Sequence, residues 1–252
     1  MSGKFVWYEL MTSDPAAAEN FYKHVVGWGA REAEMPNLRY TLFTAGAVPV
    51  AGLMALSPEA GAAGVRPGWL GYVSVGDVDA DVARVEQAGG KVHHAPADIP
   101  GVGRFAVLAD PQGAAFALFK PSEQGQSPAQ MTPGHIGWHE LHAADGGRAF
   151  EFYSGLFGWG KGDALNMGPM GIYQLFNAGG PAIGGTFTKP AQEPTPYWLY
   201  YFTVSDIDEA AARVKATGGK VINGPQEVPG GAWTIQGLDP QGAMFALVAP
   251  PK

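Results

Sequence analysis

The chain has 252 residues, contains no cysteine and carries a formal net charge of -7. The lack of cysteine excludes disulfides, thiolate metal sites and thiol nucleophiles, and the acidic balance without clustered Lys or Arg argues against nucleic-acid and anionic-membrane partners. Apolar residues make up 46% and charged residues 15%, with 37 Gly and 21 Pro, which is typical of a compact globular protein with many tight turns.

The first predicted elements lie in the stretch FVWYELMTSDPAAAENFYKHVVGW, residues 5–28. It predicts a strand, a helix of about a dozen residues and a glycine stop at Gly27. Asp14 stands before the Ala-rich run, where an N-cap carboxylate accepts the first free amide hydrogens of a helix. Short strands follow up to Leu56, and residues 69–120 repeat the pattern with Asp77 as the N-cap.

The second half of the chain repeats the first. HIGWHELHAADGGRAFEFYSGLFGW, residues 135–159, has the skeleton of residues 5–28, and the closing stretch DPQGAMFALVAP matches DPQGAAFALFKP. Each Asp-Pro-Gln-Gly predicts a tight turn between two strands. We therefore predict an α+β fold of four βαβββ units, called modules below, that form two cup-shaped domains in tandem. The predicted domains are 1–121 and 135–252, and the polar, Pro- and Gly-bearing residues 122–134 are the predicted linker.

The N-terminal residues lack the apolar stretch of a secretory signal, and no run approaches the ~20 apolar residues of a membrane span. We therefore expect a soluble cytoplasmic protein with no membrane partner. Monomer and homodimer both stay open, because four modules in one chain complete two cups without a partner.

Three features in this order resemble the vicinal oxygen chelate superfamily, which includes glyoxalase I, extradiol dioxygenases and bleomycin-resistance proteins. They are the Asp-x6-Phe-Tyr helix with a Gly-Trp end, the strand and Asp-Val-Asp-Ala opening of the second module, and the Asp-Pro-x-Gly turn. The second half repeats all three, with Asp-Ile-Asp-Glu in place of Asp-Val-Asp-Ala, so the resemblance covers nearly the whole chain and implies two glyoxalase-like domains. The fold hosts several chemistries, so it does not define the activity.

The resemblance also implies where a divalent metal would bind, since family enzymes hold it with His, Gln or Glu from the first, fifth and eighth strands of a domain. Counting from the helix-capping and turn aspartates, these positions carry Trp7, Leu70 and Ala117 in the first half and Trp138, Leu199 and Ala246 in the second. None of these side chains supplies the N or O donor that such a cation needs. We therefore predict no cofactor, with a divalent metal conceivable only at a site that the family does not use.

Glu9 and Glu140 follow Trp7 and Trp138 by two residues, so each glutamate should point into the same cup as its own tryptophan. A glutamate in an apolar cup is costly unless it is hydrogen-bonded or neutral, so both are candidate catalytic groups. The next inward position is His142 in the second half but Met11 in the first, and a Glu-His pair suits acid–base chemistry. The structural alternatives are solvated glutamates, glutamates paired with an arginine such as Arg104, and a histidine that only packs.

Further inward positions predict an aromatic lining with a few hydroxyls. The predicted ligand contacts are Trp7, Trp138, Tyr72, Tyr201, Tyr40, Tyr173, Arg104 and Trp233. Such walls suit an amphipathic, ring-bearing molecule, although each tryptophan could equally fill the core. The remaining histidines are interpreted as surface or packing residues, and among them His135 and His139 should face away from the cup.

These observations favour a protein that binds or sequesters a small hydrophobic or aromatic molecule without a metal. The alternative is a glyoxalase- or dioxygenase-type enzyme, a lyase, isomerase or oxygenase, that uses Glu140 and His142 as acid and base or a relocated metal site. A third hypothesis is a protein-interaction role in which the outer surface acts.

Overall fold

The computed structural model describes residues 3–35, 38–123 and 129–252 of the chain. Within them lie the four predicted βαβββ modules, so the α+β prediction is confirmed. Residues 124–128 of the predicted linker lie outside the described residues. The predicted domain bounds, 1–121 and 135–252, stay a prediction.

The modules have the following bounds. Module 1 contains β1 (Phe5–Thr12), α1 (Pro15–Val26), β2 (Gly29–Glu32), β3 (Thr41–Ala45) and β4 (Val48–Ala55), and the short helix α2 (Pro58–Ala62) follows it. Module 2 contains β5 (Gly68–Ser74), α3 (Val78–Gln87), β6 (Lys91–Ile99), β7 (Gly103–Ala109) and β8 (Ala115–Pro121). Module 3 contains β9 (Ile136–Ala143), α4 (Gly146–Phe157), β10 (Gly160–Asn166), β11 (Ile172–Asn177) and β12 (Ala182–Thr188). Module 4 contains β13 (Tyr197–Thr203), α5 (Ile207–Ala216), β14 (Lys220–Glu227), β15 (Trp233–Leu238) and β16 (Met244–Ala249).

The strands form two eight-stranded mixed sheets. Their orders are β2-β3-β4-β1-β5-β8-β7-β6 and β10-β11-β12-β9-β13-β16-β15-β14. In every module the first strand pairs in parallel with the last, as β1 does with β4, because the helix carries the chain back to the same end of the sheet. Among the described residues, no helix is both long and apolar enough to cross a membrane.

The four long helices begin where the aspartates predicted. Each N-cap carboxylate accepts an amide hydrogen of the first turn, and the four caps are Asp14, Asp77, Asp145 and Asp206. Helices α1 and α4 end at Gly27 and Gly158, which have φ of 86° and 70°. A residue without Cβ adopts this left-handed conformation at little cost, so the glycine stop is built into the sequence.

Modules from different halves of the sequence share a compact unit. One unit comprises Met1–Val6, Leu70–Ser127 and His139–Trp198, and the other comprises Trp7–Trp69, Pro128–Trp138 and Leu199–Lys252. The first unit therefore holds most of modules 2 and 3 and is called the 2/3 unit below. The second holds most of modules 1 and 4 and is called the 1/4 unit.

A buried hydrogen-bond network joins the two modules of the 2/3 unit. The Tyr153 hydroxyl of α4 donates to Asp110 Oδ2 over 3.0 Å, and it accepts from Trp198 Nε1 over 3.0 Å. The other carboxylate oxygen, Asp110 Oδ1, accepts from the backbone N–H groups of Gln112 and Ala114 in its own turn, over 2.8 and 2.9 Å. Burial raises the pKa of Asp110, and these donors oppose the shift by stabilising the charged carboxylate.

The same network recurs in the 1/4 unit. Tyr22 of α1 donates to Asp239 Oδ2 over 3.1 Å and accepts from Trp69 Nε1 over 2.9 Å. The Phe-Tyr motif of each half therefore binds the Asp-Pro-Gln-Gly turn of the other half. These repeated motifs hold modules together. This structural role accounts for their presence without a role in catalysis or ligand binding.

We expect Asp110→Asn to lower the free energy of unfolding by about 1–3 kcal/mol. An amide has one acceptor oxygen, so it cannot accept from both the turn N–H groups and the Tyr153 hydroxyl. Urea denaturation measures the change. Asp163→Asn, at an exposed aspartate of the same unit, removes the same charge and should change stability by less than ~0.5 kcal/mol. Equal effects of the two substitutions would show that the network does not stabilise the fold.

Candidate functional site

Two candidate residues of the first half, Trp7 and Glu9, lie on one face of β1 in module 1. Along β1, Trp7, Glu9 and Met11 alternate with Tyr8 and Leu10, so the two sets face opposite sides of the sheet. Tyr8 and Leu10 are buried, whereas Trp7, Glu9 and Met11 are half-buried. The register places Gly52 beside Glu9, Met54 beside Met11 and Leu42 beside Gly52. We call the half-buried set, Trp7, Glu9, Met11, Leu42 and Met54, the β1 face.

A short hydrogen-bond chain runs along this face. Trp7 Nε1 donates to the Tyr40 hydroxyl over 3.0 Å, and that hydroxyl donates to Glu9 Oε2 over 2.9 Å. The phenol ring lies against Gly52, where a Cβ would stand 1.8 Å from the Tyr40 hydroxyl oxygen. Burial, followed by the charge of Glu9, raises the pKa of Tyr40, so the phenol stays a neutral donor. Three predicted site residues, Trp7, Glu9 and Tyr40, are thus in direct contact.

Module 3 repeats this support for its own carboxylate. The Tyr173 hydroxyl donates to Glu140 Oε2 over 2.8 Å. Gly185 is the register partner of Glu140, and a Cβ there would stand 2.0 Å from the Tyr173 ring. In both halves, therefore, a glycine beside the glutamate leaves room for the tyrosine that positions it.

The second half adds a buried histidine between two carboxylates. His142 Nε2 lies 2.9 Å from Glu140 Oε1, and Nδ1 lies 2.7 Å from Glu193 Oε2. The side chains of His142, Glu140 and Glu193 are 4%, 12% and 30% exposed, so the cluster runs from the interior toward the surface. We call these three residues the Glu-His-Glu cluster.

Glu193 was not predicted. It lies in the loop between β12 and β13, where no period or motif marks it. It is, however, the only acidic residue between Ala182 and Asp206, and a buried histidine beside a glutamate needs a partner for its second nitrogen. That requirement was the one signal that could have pointed to Glu193.

Aromatic rings and one cation surround the Glu-His-Glu cluster. The His142 ring stacks on Tyr197 at 4.4 Å between centroids and meets the edge of Phe187 at 4.6 Å. Tyr197 hydrogen-bonds Glu193, and burial together with the charges of Glu193 and Glu140 raises the pKa of Tyr197. The Lys189 ammonium group donates to the main-chain oxygen of Glu193, a contact within the loop that carries Glu193.

The electrostatics of the cluster favour a charged histidine. Burial by itself lowers the pKa of His142, but the hydrogen bonds and charges of Glu140 and Glu193 outweigh it and raise that pKa to about 9. At neutral pH His142 is therefore an imidazolium that donates from both ring nitrogens. This cation and the Tyr173 hydroxyl together stabilise the buried carboxylate of Glu140.

The residues at the family's metal positions do not fit a metal. Leu70, Leu199, Ala117 and Ala246 are buried and apolar. The indole nitrogen of Trp7, at a fifth position, is a donor that is already used by Tyr40. In the Glu-His-Glu cluster the carboxylates bind opposite nitrogens of one ring, so their oxygens do not converge. Among residues 3–35, 38–123 and 129–252, no three His, Asp or Glu side chains form a group that could hold a metal ion.

Two predicted ligand contacts bind charged groups of the protein. The Arg104 guanidinium donates to Asp79 and Asp98, over 2.7 to 3.0 Å, and not to a glutamate of β1 or β9 as the sequence had left open. Trp233 lies under the Lys252 ammonium group, 4.1 Å from the ring centroid.

The other predicted contacts pack within their own surroundings. Tyr72 is buried against Phe105 and Phe119, and the buried Tyr201 hydroxyl accepts from Gln236 Nε2 over 2.8 Å. Trp138 is half-buried, as Trp7 is.

His139 has a packing role. Its ring stacks on Phe5 at 4.2 Å, its Nδ1 lies 2.7 Å from the Ile183 carbonyl oxygen, and burial lowers its pKa to about 4. At neutral pH it is therefore uncharged, in contrast to His142.

We expect the stability of the fold to fall as pH rises from about 6.5 to about 9, because the folded pKa of His142 lies above its unfolded value. The contribution is complete below pH ~6.5 and amounts to about 3 kcal/mol at most. The titratable groups in contact with the ring are Glu140, Glu193 and Tyr197. Tyr173 and Lys189 contact Glu140 and Glu193 in turn. Urea denaturation across this pH range measures the slope, and His142→Met, which copies module 1, should remove it.

A persistent slope in the His142→Met variant would assign the pH dependence to another group. Glu193→Gln provides a milder comparison, since it keeps the ring but removes one of the two charges that raise its pKa. Its slope should therefore be intermediate.

Comparisons with known proteins identify the relatives of the chain. The model of the Glyoxalase/Bleomycin resistance protein/Dioxygenase superfamily matches residues 4–118 and 133–247. "Putative glyoxylase CFP32" of Mycobacterium bovis is 32% identical over 246 residues, which cover 97% of this chain and 94% of the relative. "Anthracycline biosynthesis protein DnrV" of Streptomyces peucetius is 32% identical over 259 residues, which cover 98% of this chain and 93% of the relative.

A solved structure shares the fold at lower sequence identity. The Mn(II)-bound glyoxalase from Novosphingobium aromaticivorans superposes with a TM-score of 0.68 at 18% identity, over 100% of this chain and 83% of that one. The two family matches together span most of the chain, and the repeated modules have the strand and helix order that the resemblance implied. The chain therefore belongs to the glyoxalase/bleomycin resistance protein/dioxygenase superfamily.

Proposed function

We propose that this protein binds a small hydrophobic or aromatic molecule and does so without the metal ion of its family. The observation that carries the proposal is the β1 face, where large apolar side chains stay half-buried around a carboxylate. The opposite residues of the same strand, Tyr8 and Leu10, are buried at 7% and 0% exposure. The contrast indicates that the β1 face is the side of the strand that remains accessible.

The side chains of the β1 face suit a flat ligand. The Trp7 indole is rigid and its Nε1–H is held by Tyr40, so the ring is positioned before a ligand arrives. Met11 and Met54 have flexible thioether chains that adapt to different shapes. Covering such a surface contributes roughly 25 cal/mol per Å² of apolar area. Anthracyclines are polycyclic aromatic compounds, so the name of the relative DnrV supports the same ligand class.

We expect Trp7→Ala to weaken the binding of naphthalene-based compounds by about tenfold or more, because the flat wall is lost. Isothermal titration calorimetry measures the affinity, and thermal shift screening selects the compounds. Trp7→Phe keeps a ring but not the Nε1–H, so its affinity should lie between those of Trp7→Ala and the unchanged protein. The proposal fails if no aromatic compound binds, or if Trp7→Ala binds as tightly as the unchanged protein.

A second candidate function is acid–base catalysis at the Glu-His-Glu cluster, and the geometry of that cluster favours it. Glu140 receives a hydrogen bond from the imidazolium of His142 and one from Tyr173, which holds a reactive carboxylate in a single orientation. Such a carboxylate suits removal of a proton from a carbon next to a carbonyl group. Glu193 acts through His142 and is a positioning residue in this proposal.

We expect Glu140→Gln to abolish proton exchange at such carbons, because an amide cannot accept the proton. The measurement is the loss of C–H signals in D₂O by NMR for small hydroxy-carbonyl and dicarbonyl compounds. Glu9→Gln is the matched control, since Glu9 has the same tyrosine support but Met11 in place of the histidine, and its exchange rate should be unchanged. Exchange that persists in Glu140→Gln would exclude this role.

A further inference from the structure

The β1 face has an equivalent in module 3 because the two strand registers match. Glu140 pairs with Gly185 as Glu9 pairs with Gly52. One step along, the pair in module 3 is His142 and Phe187, and the pair in module 1 is Met11 and Met54. The two faces therefore share the carboxylate with its glycine and tyrosine, and they differ in the two side chains next to it.

In module 3 the protein itself places an aromatic cation on the carboxylate. The His142 imidazolium is planar and charged, and it is bound to Glu140 and stacked on Tyr197. Phe187 and the loop that carries Glu193 enclose it, so that His142, Glu140 and Phe187 are all buried. In module 3, the glutamate with its supporting tyrosine and glycine therefore accommodates a planar cation.

In module 1 the same arrangement lies beside uncharged, flexible side chains. Met11 and Met54 are half-buried, and neither carries a charge or a ring. Glu9 accepts a hydrogen bond from Tyr40 over 2.9 Å, as Glu140 accepts one from its tyrosine over 2.8 Å. The Trp7 indole N–H donates to the same Tyr40 hydroxyl. A carboxylate next to an accessible indole attracts cations through charge and through the ring face.

We propose that the β1 face binds an aromatic molecule that carries a protonated amine. The ammonium group pairs with Glu9, and the ring lies against Trp7 and the two methionines. His142 of module 3 is the internal counterpart of this ligand. The inference rests on the proposed binding function and adds the charge of the ligand to it. The net charge of -7 acts in the same direction, since it draws cations to the protein and repels anions.

The test compares three probes that share one ring system, namely 1-naphthylmethylammonium, 1-naphthalenemethanol and 1-naphthoate. Calorimetry at pH 7 should give an affinity for the ammonium compound at least tenfold above that for the alcohol, with the carboxylate weakest. Glu9→Gln should lower the affinity for the ammonium compound to that of the alcohol and leave the alcohol unchanged. Glu140→Gln, at the equivalent position, should keep the preference for the cation.

Two further measurements keep the test decisive if Glu9→Gln fails to fold. Met11→His, which copies module 3, should weaken ammonium binding because an internal imidazolium then competes for Glu9. Added salt should weaken the ammonium compound and leave the alcohol unaffected.

The outcomes separate this inference from the proposed function. Equal affinities for the ammonium compound and the alcohol, both reduced by Trp7→Ala, would overturn the inference while the binding function stands. A cation preference that is lost in Glu140→Gln but kept in Glu9→Gln would also overturn it. Binding of none of the three probes, nor of other aromatic compounds, would remove the proposed function itself.

Discussion

The fold depends on a buried tyrosine that donates to a buried aspartate, once in each compact unit. Tyr153 binds Asp110, and Tyr22 binds Asp239, so a helix of one half is tied to a turn of the other. A buried carboxylate is tolerated only when its oxygens are satisfied, and here the turn's own N–H groups satisfy one oxygen and the tyrosine the other. Through these buried pairs, each compact unit draws residues of its core from both halves of the chain.

The tyrosine–aspartate pairs do not involve β1 and β9, the first strands of modules 1 and 3. The repeated Phe-Tyr, Gly-Trp and Asp-Pro-Gln-Gly motifs are engaged in packing, and the groups able to do chemistry lie on the first strand of modules 1 and 3. On both strands a glycine of the neighbouring strand admits a tyrosine, which orients the glutamate. The support is the same in both halves, and only the occupant differs: Met11 in one half, His142 with Glu193 in the other.

Membership of the superfamily fixes the fold of this chain and not its chemistry. The positions that the resemblance assigns to ligands hold apolar side chains in both halves, four of them buried Leu or Ala. The polar groups beside these positions are carboxylates, phenols and one imidazolium, and the proposed recognition of charge and movement of protons both rest on them. Function is set by the side chains at a site and not by the fold that carries them.

The sequence by itself determined the repeat, the four βαβββ modules, the helix caps and the apolar residue types at the positions that the resemblance assigns to a metal, because each depends on local spacing or residue type. It also placed Trp7 beside Glu9 and His142 beside Glu140, since strand alternation is a local rule. Only the tertiary structure decided that Glu193 completes the cluster, that Arg104 binds Asp79 and Asp98, and that modules from opposite halves share a unit. Those contacts join residues far apart in the chain, and their formation depends on loop paths and on competition between charged partners that no local pattern records.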